Sequence, residues 1–125
     1  MLESFVCYPN VMVSNIWILN DQHVVQLSSF LDDLMSINLS GCDKLTERAL
    51  FTLVRKCHSL SEIKIEYIGR KSARNSEYSV DFGVYPQLKS LYLGGNLWLN
   101  DERIIMLASI FPNLELLDLT SSIDI

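Results

Sequence analysis

The side chains best equipped for chemistry in this chain are three cysteines, Cys7, Cys42 and Cys57, and two histidines, His23 and His58. A cysteine beside a histidine suggests a thiolate nucleophile with an imidazole base, and Cys57 directly precedes His58. Neighbours on a helix point to different sides, so this pair is not spaced to share a proton. His23 falls on a helix surface beside Val24, where exposure to solvent is expected. Zinc sites draw on clustered thiolate and imidazole ligands; two histidines and no CxxC pair do not supply that spacing. The acid pairs Asp32–Asp33 and Asp101–Glu102 fall at a linker and at a helix start, where capping and solubility account for them. The run "GGN" at 94–96 is not a GxGxxG nucleotide loop, and no GK[ST] occurs. Two glycines after a strand read more simply as a tight turn. The expectation is a non-enzyme with no catalytic, cofactor-binding or metal-binding residues.

The elements that carry these side chains must fit into 125 residues, enough for one domain. Hydrophobic residues make up 49% of the chain, and a single small globule cannot easily hide that much apolar surface. Either the chain is part of something larger, or its strands and helices bury one another in layers. No apolar run reaches the roughly 18 residues of a membrane span, and "MLESFVCYPN" lacks the basic and apolar regions of a signal peptide. An odd number of cysteines without CxxC argues against a disulfide framework and for a reducing compartment, cytoplasmic or nuclear. Net charge is −5 but uneven. Residues 44–74 hold Lys44, Arg48, Arg55, Lys56, Lys64, Arg70, Lys71 and Arg74 against Glu47, Glu62 and Glu66, an excess of five positive charges that leaves the remainder at −10. Such a split points weakly to a charged partner surface. The overall pI of about 4.8 argues against nucleic acid.

The stretch "INLSGCDKLTERALFTLVRKC", residues 37–57, switches from strand-like alternation (Ile37, Leu39) to helical spacing (Leu45, Ala49, Leu50, Leu53, Val54, Cys57). It is not alone. Leu34-xx-Ile37-x-Leu39-xx-Cys42-xx-Leu45 returns 26 residues on as Leu60-xx-Ile63-x-Ile65-xx-Ile68. After a further 28 it is Leu88-xx-Leu91-x-Leu93-xx-Asn96-xx-Leu99, and after 26 more Leu114-xx-Leu117-x-Leu119-xx-Ser122. The linkers repeat as "YPNV", "YPQL" and "FPNL", and the helix starts as "LND" at 19–21 and 99–101 and "LTE" at 45–47. Asn20, Thr46 and Asn100 are good N-caps, each followed by an acid that the helix dipole favours. The first unit is irregular: "YPNV" sets its start at Val11, yet Leu19-Asn20-Asp21 then arrives three residues early. Either residues are missing around the strand, or Tyr8 takes the first leucine position.

This pattern resembles the leucine-rich repeat. Cys42, the "LT" that follows it and Cys57 resemble the cysteine-containing class common in plant F-box/leucine-rich-repeat proteins. The resemblance implies an α/β solenoid over residues 1–125, with parallel strands on a concave face and helices on the convex one. It has about four repeats (approximately 8–33, 34–59, 60–87 and 88–113) and a partial one (114–125). Half a strand and one short helix cannot form a core alone; stacked, their leucines become a continuous one. Asn96 or Cys42 then bonds backbone left unpaired at the bend, and Cys42 and Cys57 are buried packing residues. Trp17 and Trp98 stand in matching places before "LND", either packed between repeats or exposed as contacts.

The third unit departs from the rest. In place of a helix comes "GRKSARNSEYSVDFGVYP", residues 69–86, basic and polar first, then alternating through Tyr78, Val80, Phe82 and Val84. The expectation is a loop followed by an extended piece whose Tyr78, Val80, Phe82 and Val84 cover the core. Arg70, Lys71 and Arg74 in its first half are candidate partner contacts, because loops often carry binding.

The concave face would present one set of side chains per repeat. The central column is Asn38, Lys64, Tyr92 and Asp118; flanking columns are Ser36, Glu62 and Ser90, then Ser40, Glu66, Gly94 and Thr120. Mixed charge with one aromatic anchor, Tyr92, suits a protein or peptide partner. The family resemblance implies the substrate-recognition part of an F-box/leucine-rich-repeat subunit of an SCF-type ubiquitin ligase. A Skp-type adaptor would bind only through an F-box in a longer chain. The alternative is a stand-alone repeat scaffold, or a fragment of another repeat protein, with no ligase role. No nucleic-acid or membrane partner is expected. With no F-box ahead of residue 8 and no end cap after "TSSIDI", both ends are expected to expose apolar surface and the chain to self-associate.

Overall fold

The computed structural model describes residues 10–12, 18–68 and 83–120. Five three-residue strands form one parallel sheet in chain order: β1 (Asn10–Met12), β2 (Ser36–Asn38), β3 (Glu62–Lys64), β4 (Ser90–Tyr92) and β5 (Leu116–Asp118). Three helices are interspersed: α1 (Asp21–Ser28), α2 (Glu47–Lys56) and α3 (Asp101–Ile110). None of them is long and apolar enough to cross a membrane.

The register runs Val11, Ile37, Ile63, Leu91, Leu117 across the five strands. The repeated apolar positions are therefore side by side on adjacent strands, as the alignment of the units requires. Val11 opposite Ile37 also resolves the first unit: counting back, Tyr8 and not Val11 falls in the frame of Leu34. The backbone ladder continues one residue beyond each strand, with the amides of Leu39, Ile65 and Leu93 donating to the carbonyls of Lys64, Tyr92 and Asp118 at 2.8, 3.0 and 2.8 Å.

Alternation along each strand sends one set of side chains into the core and the other out. Ile37, Ile63, Leu91, Leu39, Ile65 and Leu93 join a single cluster with Val24 of α1, Ala49, Leu50, Leu53 and Val54 of α2, and Leu107 and Ile110 of α3. All three helices start where the caps predict. Asn20 accepts from the His23 amide, Thr46 from that of Arg48 and Asn100 from that of Arg103. Cys57 closes α2, and both it and Cys42 are fully buried.

Burial depends on having neighbours on both sides. Helix α2, in the middle of the chain, buries seven residues, including Glu47, whereas α3 buries only Leu107 and Ile110 and leaves Ile105 69% exposed. In β5 Leu117, and just after it Leu119, stay half-buried while their counterparts in β2, β3 and β4 are buried.

The stretch 69–82, where a loop and then an extended piece are expected in place of a helix, lies outside the described residues. Val84 does not cover the core: it is 60% exposed, and the adjoining Tyr85 packs there instead, against the Phe111 ring at 6.1 Å. Alternation places neighbours on opposite sides, so burying Tyr85 turns Val84 out. Cys7, Trp17, Arg70, Lys71, Arg74, Tyr78, Val80, Phe82 and Ser122 lie outside the described residues.

Candidate protein-binding surface

The side chains that point away from the core form three rows across the sheet. The central row, Asn38, Lys64, Tyr92 and Asp118, is fixed by direct pairing of those residues on β2 to β5. Ser36, Glu62 and Ser90 form the first flanking row by the same register, and that row ends on Leu116, a 41% exposed leucine that reading the sequence omitted. Ser40, Glu66, Gly94 and Thr120 follow at the C-terminal side of the strands.

Much of this surface is bonded to itself. Asn38 Oδ1 accepts from the Ser40 amide at 3.0 Å and Asp118 Oδ1 from the Thr120 amide at 2.9 Å, so both side chains close their own turns. The Thr120 hydroxyl, and then its amide, hold the Asp118 carboxyl below the usual carboxylate range. Ser36 donates to Glu62 Oε2 at 2.7 Å, and the Ser40 hydroxyl accepts from the Glu66 amide at 3.0 Å. The Lys64 ammonium sits 4.9 Å from the centre of the Tyr92 ring, a cation–π pair between adjacent strands. At the rim Lys89 and Glu115 pair at 3.6 Å, both well exposed.

The turns after the strands show what the surface is built on. Asn96 is 4% exposed and ties two turns together. Its Oδ1 accepts from the Ile68 amide at 2.8 Å, and its Nδ2 donates to the carbonyls of Ile65 and Leu93, each at 2.9 Å. A β-carbon at Gly94 would overlap the carbonyl oxygen of Thr120 and meet Glu66 Oε2 at 3.2 Å, so only glycine lets the neighbouring turn come this close.

Like Leu116, Tyr67 carries a feature that residue types alone did not single out. Gly41 and Gly95 hold φ of 79° and 74°, in the left-handed region. Tyr67 occupies the same place in its unit and has φ of 55°. This conformation costs a side-chain-bearing residue about 1–2 kcal/mol. The signal was present, since aligning the units puts Tyr67 in the column of Gly41 and Gly95, but it is silent about backbone angle. The Tyr67 ring lies over Gly95, where an added β-carbon would strike it, and is 48% exposed.

Cys57 is buried while His58 is exposed, so they do not face each other. Burial, and secondarily Asp32, pushes the Cys57 thiol up to about 11, against a smaller opposing effect of Lys56. His23 is exposed and acts as a cap partner, its Nδ1 accepting from the Asn20 amide at 3.1 Å. Trp98 is 2% exposed and therefore packs internally. Compared with models of known protein families and with curated protein sequences, the chain matches none.

Proposed function

We propose that this chain is a leucine-rich-repeat solenoid that binds a protein or peptide on its sheet face. Within that reading it serves as the substrate-recognition region of an F-box/leucine-rich-repeat subunit of an SCF-type ubiquitin ligase. The solenoid reading is supported by the order of the sheet, one strand per unit with equivalent residues in register. It is also supported by the dependence of burial on neighbours.

The observation that carries the binding role is the aligned outward row. It sets a half-exposed Tyr92, with Lys64 over its ring, in the middle of a surface with mixed charge. Tyrosine offers large contact area at small entropic cost, which is why it dominates many interfaces. The role is one of recognition and not of catalysis. The ligase role rests on the sequence resemblance alone.

Two measurements test the proposal. A photo-crosslinking amino acid placed at Asn38 or at Ser90 should capture a discrete partner in cells, and Tyr92→Ala should abolish the adduct. Crosslinks that ignore Tyr92→Ala would remove the face from consideration. Co-purification of the full-length protein with a Skp-type adaptor tests the ligase role, and failure to bind it leaves a stand-alone scaffold.

A further inference from the structure

The outward row is largely satisfied within itself, and the groups that remain open lie one step beyond it. Glu66 and Tyr67 lie just after β3, beyond Ile65, and their side chains rest over the consecutive glycines Gly94 and Gly95 of the next unit. The Tyr67 amide donates to the Gly94 carbonyl at 3.0 Å, which anchors the pair to that turn. Because neither glycine carries a side chain, the carboxylate rests against Gly94 and the ring against Gly95, on consecutive residues of one turn.

Three features give this pair a direction. First, Tyr67 keeps a left-handed backbone where the units on either side have glycine. Strain of this kind persists where surrounding contacts hold it, and it clusters at functional sites. Second, among the described outward side chains of the strands and the turns after them, acids outnumber bases. Glu62, Glu66 and Asp118 face outward against Lys64, and the Lys64 ammonium is already over Tyr92, while the Glu66 carboxylate pairs with no cation among the described residues. Third, the Lys64–Tyr92 pair shows within the same surface that a cation settles on a tyrosine ring here.

We propose that Tyr67 and Glu66, held over the Gly94–Gly95 backbone, form a seat for an arginine side chain presented by a partner protein. A guanidinium is flat and forked, so it stacks on the phenol ring while its edge pairs with the carboxylate. An ammonium fits only one of these contacts well at a time, and a phosphate or carboxylate is repelled by Glu66. The proposal rests on the reading of this face as a protein-binding surface and specifies the chemistry of its partner.

The test is to pan a library of short random peptides against the whole chain and to measure the affinity of the enriched sequences. Enriched peptides should share an arginine. Binding should weaken at least tenfold when that arginine becomes citrulline, which keeps the shape but loses the charge. Tyr67→Gly and Glu66→Gln should each weaken it by a similar factor. Tyr67→Gly suits the backbone angle, so its thermal melting point should be no lower than that of the parent, which separates loss of the seat from loss of the fold. Peptides that depend on Tyr92 but carry no arginine, or that ignore Tyr67→Gly, overturn the arginine seat and leave the binding face intact. Enriched peptides indifferent to Tyr92→Ala, Tyr67→Gly and Glu66→Gln alike, or no enrichment at all, overturn both.

Discussion

Replacing Asn96 should reveal how far each unit leans on its neighbour. The side chain makes three hydrogen bonds: from the Ile68 amide and to the carbonyls of Ile65 and Leu93. It is nearly inaccessible to water, so in Asn96→Ala these backbone groups lose a partner that solvent replaces poorly. At about 1 kcal/mol net for each bond, the loss is about 3 kcal/mol. For a domain of this size that lowers the melting temperature by on the order of 10 °C. Asn96→Asp carries a sharper signature. One carboxylate oxygen can still accept from Ile68, but the other faces two carbonyl oxygens, so the folded state favours the protonated acid and its pKa is raised. Below about pH 4 an aspartic acid is protonated in the unfolded chain as well, and the ionisation penalty is absent. As pH rises the unfolded chain ionises first and stability is lost, so Asn96→Asp should approach the parent at pH 4 and fall well below it at pH 7. Urea unfolding followed by circular dichroism at both values measures this. An Asn96→Ala variant within about 0.5 kcal/mol of the parent, or an Asn96→Asp variant with the parent's pH profile, would refute the assignment of Asn96 as the tie between turns.

Gly94→Ala should destabilise by about 1–3 kcal/mol, since its β-carbon meets backbone and not a yielding side chain. Hydrogen exchange should then quicken at the Leu93 amide, which bonds to Asp118. Cys57 should resist iodoacetamide at pH 8 in the folded chain and react once urea unfolds it, as read by mass spectrometry of the peptide. Because its folded pKa is raised from 9.0 to about 11, the thiol's contribution to stability is constant below pH 9 and is lost as pH rises towards 11. At the start of α1, Asn20→Ala should cost about 1 kcal/mol and His23→Ala less, because the latter removes only the acceptor for the Asn20 amide. Thermal melts of the two variants check that ranking.

The repeating apolar positions determined a great deal unaided. Which residues point in and which point out follows from strand and helix periodicity, a local property of the chain. Ile37, Ile63, Leu91 and Leu117 could therefore be set side by side by counting alone, and the caps Asn20, Thr46 and Asn100 could be named from residue type. The buried role of Asn96 followed from its place in the unit. Val84 failed the same logic because its alternation had no fixed phase: only the packing of Tyr85 on Phe111 decides which neighbour turns inward.

What only the tertiary structure decided is how the outward groups treat one another. That Lys64 caps the Tyr92 ring, that Ser36 bonds Glu62 and that Glu66 is left without a cation among the described residues are outcomes of distances between units 26 to 28 residues apart. The left-handed Tyr67 belongs to the same class. Its residue type argues for an ordinary strand end, and the neighbouring turn, through the Gly94 carbonyl and the open space over Gly95, holds it otherwise. Local preference is worth about 1–2 kcal/mol at such a position, and a set of fixed contacts from the adjacent unit outweighs it.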